Sequence, residues 1–382
     1  MWSNVIGQEK VKEKLKSLYK AGRLSHAYLF YGSDGVGKDA TAIELAKLLN
    51  CSNISRRDGF PQNGDEACDK CDNCRKISSI QSEYFNIVCA LPAGRSEETD
   101  SDPIEKLTAS DFDEYMEQLK MKAENHYHMI NLSNANNIRI NSIRDLVSKI
   151  YLSVPANHTK VFLISQAEKM KQEAANALLK VLEEPPQKSL LILTTSKINA
   201  LPPTIAGRCQ KLNFELLKPG QIITKLNETT SFPKKDIELA SRIACGSYNR
   251  ALQLLNMGIN ELRNDALEFL VSILKDQYAD TVLIARNITA RNDRDRTRNF
   301  LYFLNIWFRD LMHVKYYTDD SENISANADM MERLNKLQSN YPNTDIFSII
   351  MELEEADRLI TQNVQLTLII VNLAFRLKEL IR

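Results

Sequence analysis

The stretch AYLFYGSDGVGKDATAIELAKLL, residues 27–49, restricts the fold more than any other part of the chain. Its apolar run AYLFY reads as a buried parallel strand, GSDGVGK as a glycine-rich turn, and the remainder as a helix. Strand, glycine turn and helix are the context in which the pattern G-x-x-x-x-G-K-[ST] binds phosphate. Gly32, Gly35 and Gly37 let backbone N–H groups curl around the anion, the helix N-terminus supplies a favourable dipole, and Lys38 would reach the outer phosphates. A small hydroxyl that holds Mg²⁺ belongs at the last position of the pattern, and this chain has Asp39 there. In the first helical turn a carboxylate is itself stabilised by the dipole. Asp39 could pair with Lys38, occupy part of the anion site, or ligate Mg²⁺ directly.

Two further apolar runs, VFLI at 161–164 and LLILTT at 190–195, read as strands of the same sheet. Between them lies KMKQEAANALLKVLEEPP. Its Ala174, Ala177, Leu178, Val181 and Leu182 follow helical spacing, and Pro185-Pro186 ends the helix. Strands alternating with helices predict an α/β nucleotide-type domain that runs to about residue 215. Hydrolysis needs acids at the end of the strand next to the phosphate-binding one. After VFLI the chain has Ser165 and Gln166, and Glu168 is expected to point away along a new helix. Neither Ser nor Gln serves as a base at neutral pH. The reading is that hydrolysis is lost while ATP or ADP binding stays open. From LLKPGQIITKL onward the pattern is helical, with a short unit ending near Met257 and helices from about 260 to 382, of which RLITQNVQLTLIIVNLAFRLKEL is the clearest amphipathic stretch.

Lys+Arg and Asp+Glu are equal in number, 49 each, so no global field draws the chain onto nucleic acid or a membrane surface. The charged beginning MWSNVIGQEKVKEKL and the shortness of LTLIIVNLAF argue for a cytoplasmic protein without a membrane span. Of the seven cysteines, Cys68, Cys71 and Cys74 stand at two-residue spacing and Cys51 closes the loop from the end of the first helix. Four thiolates suit a closed structural Zn²⁺ site. An iron–sulfur fragment and unligated reduced thiols are the alternatives. Cys89, Cys209 and Cys245 read as packing residues. An acidic stretch at about 91–125 reads as a surface insertion, part flexible and part helical, either a docking surface or simply solvated. Arg208, after two prolines and Gly207, is read either as a surface ion-pair partner or as a finger for a phosphate held by a neighbouring subunit.

Taken together, GQEKVKEKLKSLYKAGRLSHAYLFYGSDGVGK, the cysteine cluster, EAANALLKVLEEPP, the GRC turn at 207–209 and the C-terminal QNVQLTLIIVNLAFRLKEL resemble the bacterial DNA polymerase III clamp-loader family of AAA+ proteins. The resemblance covers roughly residues 4–90 and 138–255. It is similar to the delta-prime branch, which lacks a working ATPase site yet keeps the arginine of its Ser-Arg-Cys motif; Gly207 stands here in place of that serine. The gamma/tau motor branch keeps the hydroxyl and the strand-end acids that this chain lacks. An active AAA+ ATPase of that motor type is the alternative. The resemblance implies an AAA+ domain at 1–215 with a zinc module at about 51–74, a helical lid at 216–260 and a helical collar at 261–382. It implies Arg208 acting in trans on ATP held by an adjacent motor subunit. Thr195 and Arg250 are the counterparts of the sensor residues. The implied work is loading a sliding clamp on primed DNA beside motor and delta subunits, with modest contact to DNA. The 91–125 insertion has no counterpart in that family pattern.

Overall fold

The computed structural model describes residues 2–57, 60–61, 64–92, 102–316, 325–362 and 364–381. The start of the acidic insertion, 93–101, lies outside them. The chain divides into two compact units, Met1–Glu228 with Cys245–Arg250, and Thr229–Ala244 with Ala251–Arg382.

The first unit is built on a five-stranded parallel sheet. Its strands are β1 (Ala27–Tyr31), β2 (Phe85–Val88), β3 (Lys160–Ile164), β4 (Ser189–Thr195) and β5 (Gln210–Asn213), in the spatial order β2-β3-β4-β1-β5. All three runs singled out in the sequence are strands. Leu29, Phe162, Leu163, Ile192 and Leu193 have essentially no exposed surface, as expected of a sheet covered on both faces. Two strands went unrecognised because they are the edges. β2 is half-buried over three of its four residues, and QKLN of β5 buries only Leu212, so neither carries a continuous apolar run.

Helices α1 (Glu9–Lys20), α2 (Lys38–Asn50), α3 (Asp72–Ser78), α4 (Ala109–Glu124), α5 (Ile140–Ile150), α6 (Gln172–Glu183), α7 (Pro203–Ala206) and α8 (Pro219–Thr229) complete this unit. α6 stops before the two prolines, with Ala174, Leu178, Val181 and Leu182 buried. α4 lies within the acidic insertion, and here the structure corrects the surface reading. Thr108 caps it, accepting from Asp111 N–H at 3.2 Å, and Tyr115 and Lys122 on one face are buried while Leu119 packs against the sheet's core. The insertion therefore contributes to the interior of the unit.

The second unit is helical among the described residues. It comprises α9 (Lys234–Ile243), the later part of α10 (Tyr248–Asn256), α11 (Ile259–Leu274), α12 (Tyr278–Ile288), α13 (Arg294–Tyr316), α14 (Met331–Asn340), α15 (Ile346–Thr361) and α16 (Leu366–Leu380). Phe269 and Phe300 meet edge to face at 5.1 Å in its core. The long amphipathic stretch expected near the end is two helices, α15 and α16, the first ending at Thr361 and the second starting at Leu366, where polar residues interrupt the apolar spacing. Among the described residues no helix is long and apolar enough to cross a membrane.

Candidate functional site

The phosphate-binding loop joins β1 to α2. Gly32 N–H donates to the Thr195 carbonyl at 3.3 Å, which ties the loop to the end of β4. Gly35 and Gly37 have φ of 74° and 103°, values that favour glycine. What stands in front of them is the protein's own chain. A Cβ on Gly35 would lie 2.1 Å from Ser247 Oγ, and one on Gly37 would lie 3.0 Å from the Tyr127 hydroxyl.

Lys38 does not extend toward an outer phosphate. Its Nζ donates to the Gly32 and Ser33 carbonyls at 2.6 Å each and stands 3.8 Å from Asp34 Oδ1. Burial pulls its pKa below the usual lysine value, against the opposing pull of Asp34, Asp39 and Glu168.

Asp39 pairs with neither Lys38 nor a backbone group of the loop. Its Oδ2 accepts from Lys122 Nζ at 2.7 Å and from Ser165 Oγ at 2.9 Å, and its Oδ1 accepts from Thr194 Oγ1 at 2.8 Å. Burial alone would raise the carboxyl pKa. The Lys122 ammonium, followed by the hydroxyls of Thr194 and Ser165, reverses that and holds it below the ordinary carboxylate range. Lys122 is 1 % exposed and also donates to the His128 carbonyl at 2.6 Å. Ser165, at the strand end where an acid would hold a metal, thus serves the carboxylate at position 39. Gln166 turns away in left-handed geometry and donates to the Ile130 carbonyl at 3.2 Å.

Past α4, residues 125–129 turn across the loop. His128 N–H bonds the Asn125 carbonyl at 2.8 Å. His126 Nε2 contacts the Ser78 carbonyl at 3.1 Å, and His128 Nε2 contacts Gln118 Oε1 at 2.8 Å. The Tyr127 hydroxyl accepts from Ile6 N–H at 2.6 Å, and its ring meets Tyr248 edge-on at 4.9 Å. The space left, bounded by Lys38, Asp39, Tyr127, Met129, Gln166 and Thr194 among others, is about 30 Å³. That is room for one or two waters, whereas pockets for small ligands run to about 300–1,000 Å³.

The other residues singled out in the sequence are distributed around this site. Glu168 does not point away as expected: its Oε1 accepts from Ser196 Oγ at 3.0 Å, because the chain after β3 makes a 3₁₀ turn at Ala167–Lys169 that carries it back toward the end of β4. Thr195 Oγ1 accepts from Lys197 N–H at 3.0 Å, so it is Thr194 whose hydroxyl faces position 39. Arg250 lies in the first turn of α10, its N–H bonded to Ser247 Oγ at 3.3 Å, while Tyr248 N–H bonds the Gly35 carbonyl at 3.0 Å. Sequence reasoning missed Lys122 and Tyr127. The available signal was a lysine in phase with Tyr115 and Leu119 on an otherwise apolar helix face.

Cys51, Cys68, Cys71 and Cys74 come together, with all four sulfurs within 4.8 Å of one another and Cys68 and Cys74 at 4.0 Å. Tetrahedral Zn–S bonds of about 2.3 Å would set the sulfurs about 3.8 Å apart. Cys71 N–H points at Cys68 Sγ at 3.3 Å, and Cys68 N–H at Cys51 Sγ at 3.5 Å, contacts that favour thiolates. The donor set fits a closed structural metal. Cys89 and Cys209 are buried packing residues, while Cys245 is half-buried in a left-handed turn.

Arg208 follows the short α7. Its guanidinium donates to the Thr204 carbonyl at 2.9 Å and pairs with Glu183 at the end of α6, and its side chain is 38 % exposed.

A parallel sheet in this order, with a phosphate-binding loop after the interior strand β1 and helices following, defines an AAA+-like P-loop α/β fold. The sequence profile of the family described as "DNA polymerase III, delta subunit" matches residues 7–218, more than half of the 382. The chain therefore belongs to this family of clamp-loader subunits. It is 29 % identical to the DNA polymerase III subunit delta′ of Bacillus subtilis over 254 residues, 66 % of this chain and 60 % of that one. It is 28 % identical to the DNA polymerase III subunit tau of Escherichia coli over 304 residues, 77 % of this chain. The chain spans less than two fifths of the length of the tau subunits of Salmonella typhimurium and Escherichia coli. Among solved structures, a gamma subunit-related protein of Thermotoga maritima aligns over 97 % of this chain and 99 % of its own, at 13 % identity and a TM-score of 0.44.

Proposed function

We propose that this chain is the non-hydrolysing, delta-prime-type subunit of a clamp loader. The observation that carries the reading is the hydrogen-bonded group at position 39. The residue that should hold a metal is a carboxylate already bonded to Lys122, Ser165 and Thr194, and the strand end offers Ser165 and Gln166 where acids are required. An active motor of the gamma/tau type needs those acids, and Glu168 is engaged by Ser196.

The chain's contribution to chemistry is then Arg208. It stands half-exposed on the turn after α7 and is restrained by an ion pair that solvent keeps weak. Offered to an ATP held by a neighbouring motor subunit, its guanidinium would stabilise charge on the transferring phosphoryl group. The four cysteines would hold Zn²⁺, which supplies a cross-link between the end of α2 and the start of α3 and no open coordination position. Segments 216–260 and 261–382 act as lid and collar, the collar joining motor and delta subunits. The assembly loads a sliding clamp onto primed DNA in the cytoplasm, and the equal numbers of acidic and basic residues make this chain's own DNA contact weak.

The test is a clamp loader reconstituted with cognate motor and delta subunits. DNA- and clamp-stimulated ATP turnover is compared for wild type and Arg208→Ala, with assembly verified by size exclusion. An intact complex whose turnover falls at least tenfold is expected. Unchanged turnover in an intact complex removes the arginine's role, and a chain that never joins the complex removes the reading as a whole. Metal analysis of the purified chain should find stoichiometric zinc, lost in Cys71→Ser; a metal-free, fully folded wild type would discard the zinc assignment.

A further inference from the structure

The insertion that carries α4 has a role that the proposed function leaves open, and the geometry assigns one. We propose that α4 and the turn at 125–129 are an internal occupant of the phosphate-binding loop, with the Lys122 ammonium in place of a bound metal–nucleotide. This goes beyond the reading above, under which nucleotide could still bind without being hydrolysed.

Four features converge on it. Lys122 is the cation at position 39, at 2.7 Å, where the pattern would have a hydroxyl on Mg²⁺. The Tyr127 hydroxyl lies 3.0 Å from where a Cβ of Gly37 would be, so the close approach that this glycine permits is used by the chain itself. Lys38 is turned back onto the Gly32 and Ser33 carbonyls. The remaining cavity of about 30 Å³ is about a tenth of the volume of the smallest ordinary ligand pockets.

The occupant is braced within itself, Lys122 to the His128 carbonyl and His128 to Gln118 of α4, and is fastened to other elements by His126 to Ser78 of α3 and Tyr127 to Ile6 N–H. Admitting a nucleotide would break these together with the Asp39 pair, leaving a buried ammonium or carboxylate without its partner. A P-loop without ligand ordinarily gains order when the anion arrives. This one is ordered by a residue of its own chain, and it can present a fixed surface to neighbours irrespective of the nucleotide concentration.

The test uses the full chain. Calorimetry and thermal unfolding are run with Mg·ADP, Mg·ATP and ADP alone at about 1 mM, where a micromolar site would raise stability measurably by mass action. No heat and no shift in Tm are expected. Saturable micromolar binding by the wild type overturns the proposal, and it leaves the Arg208 experiment untouched because that reads turnover on other subunits. The second arm compares Lys122→Met with Asp39→Ser/Lys122→Met. The single variant should lose roughly 10 °C in Tm or fail to fold, and the double variant should regain most of that loss. A single variant as stable as wild type would show that the pair does not hold the loop. A double variant no better than the single would show that the two residues act separately. Either result overturns the proposal.

Discussion

Each unit of this protein buries a charged network, and the two differ in kind. In the first, Lys122 and Asp39 meet across 83 residues at the mouth of a loop whose pattern belongs to a ligand site. In the second, Asp310 is fully buried on α13 and accepts from Ala326 N–H at 3.0 Å and from the N–H and side-chain amide of Asn327 at 2.8 Å each. Asn327 Oδ1 in turn accepts from Arg263 Nε at 2.8 Å, and the same guanidinium grips Asp329 at 2.8 and 2.6 Å. This second network fastens a stretch of backbone that has no helical partners of its own, so its donors would be orphaned without it. The first satisfies no backbone need of residue 39. Apart from the His128 carbonyl that Lys122 also serves, its polar atoms are brought by side chains, and removing both members together should cost less than removing either alone. Removing any single member of either network should cost much.

The largest effect should come from Lys122→Met, which strands the Asp39 carboxylate: about 3–5 kcal/mol on the first unit, read by peptide-resolved hydrogen exchange. Its pH dependence has a definite sign. In the wild type the Asp39 pKa is held low, so its contribution is present above the unfolded value of about 3.9 and is lost as pH falls through the folded one. Without Lys122 burial raises that pKa instead, and the variant gains stability as it takes up the proton. The gap between variant and wild type should therefore narrow from pH 8 to pH 4. A gap that widens would mean that Asp39 is not ionised in the native protein. Next in size, Asp310→Ala should cost about 3 kcal/mol by orphaning two backbone N–H groups and an amide, with exchange accelerating at 325–329. Adding Asn327→Ala should recover little there, unlike the paired replacement at Asp39, because the backbone donors remain. That contrast is what separates the two networks. Gly37→Ala should cost about 1–2 kcal/mol, combining a φ of 103° with the nearby Tyr127 hydroxyl.

The same contrast accounts for what could be read from the sequence. β1, β3 and β4 are legible because sheet burial on both faces leaves a continuous apolar run, and α6 because Pro185-Pro186 marks its end. The edge strands β2 and β5 are not, since one partner strand and partial exposure leave no pattern to see. Asp39, Ser165 and Gln166 were legible as departures from the hydrolytic pattern, since each is local to a recognisable motif. The cation that answers Asp39 was harder to read, its one signal being a lysine in phase with Tyr115 and Leu119. Lys122 lies in a polar insertion where composition says surface, and only the fold brings α4 beside α2. Where Lys38 points was likewise not legible, because its Nζ turns back onto the Gly32 and Ser33 carbonyls of its own loop.

The smallest effect on stability is expected at the residue that matters most for the proposed function. Arg208 and Glu183 are 38 % and 50 % exposed, so solvent screens their pairing, and Arg208→Ala should change stability by less than about 1 kcal/mol. That insensitivity is what makes the turnover experiment interpretable, because a defect in a complex of unaltered Tm cannot be assigned to a damaged subunit. Glu183→Gln sharpens it further. If the ion pair restrains a finger that must leave it to reach a neighbour's phosphate, releasing the pair should hold or modestly raise turnover by up to about twofold, within the worth of an exposed pair. If Glu183 instead orients the guanidinium for its task, turnover should fall with Glu183→Gln in the same direction as with Arg208→Ala. The sign of that one change distinguishes a restraint from a support.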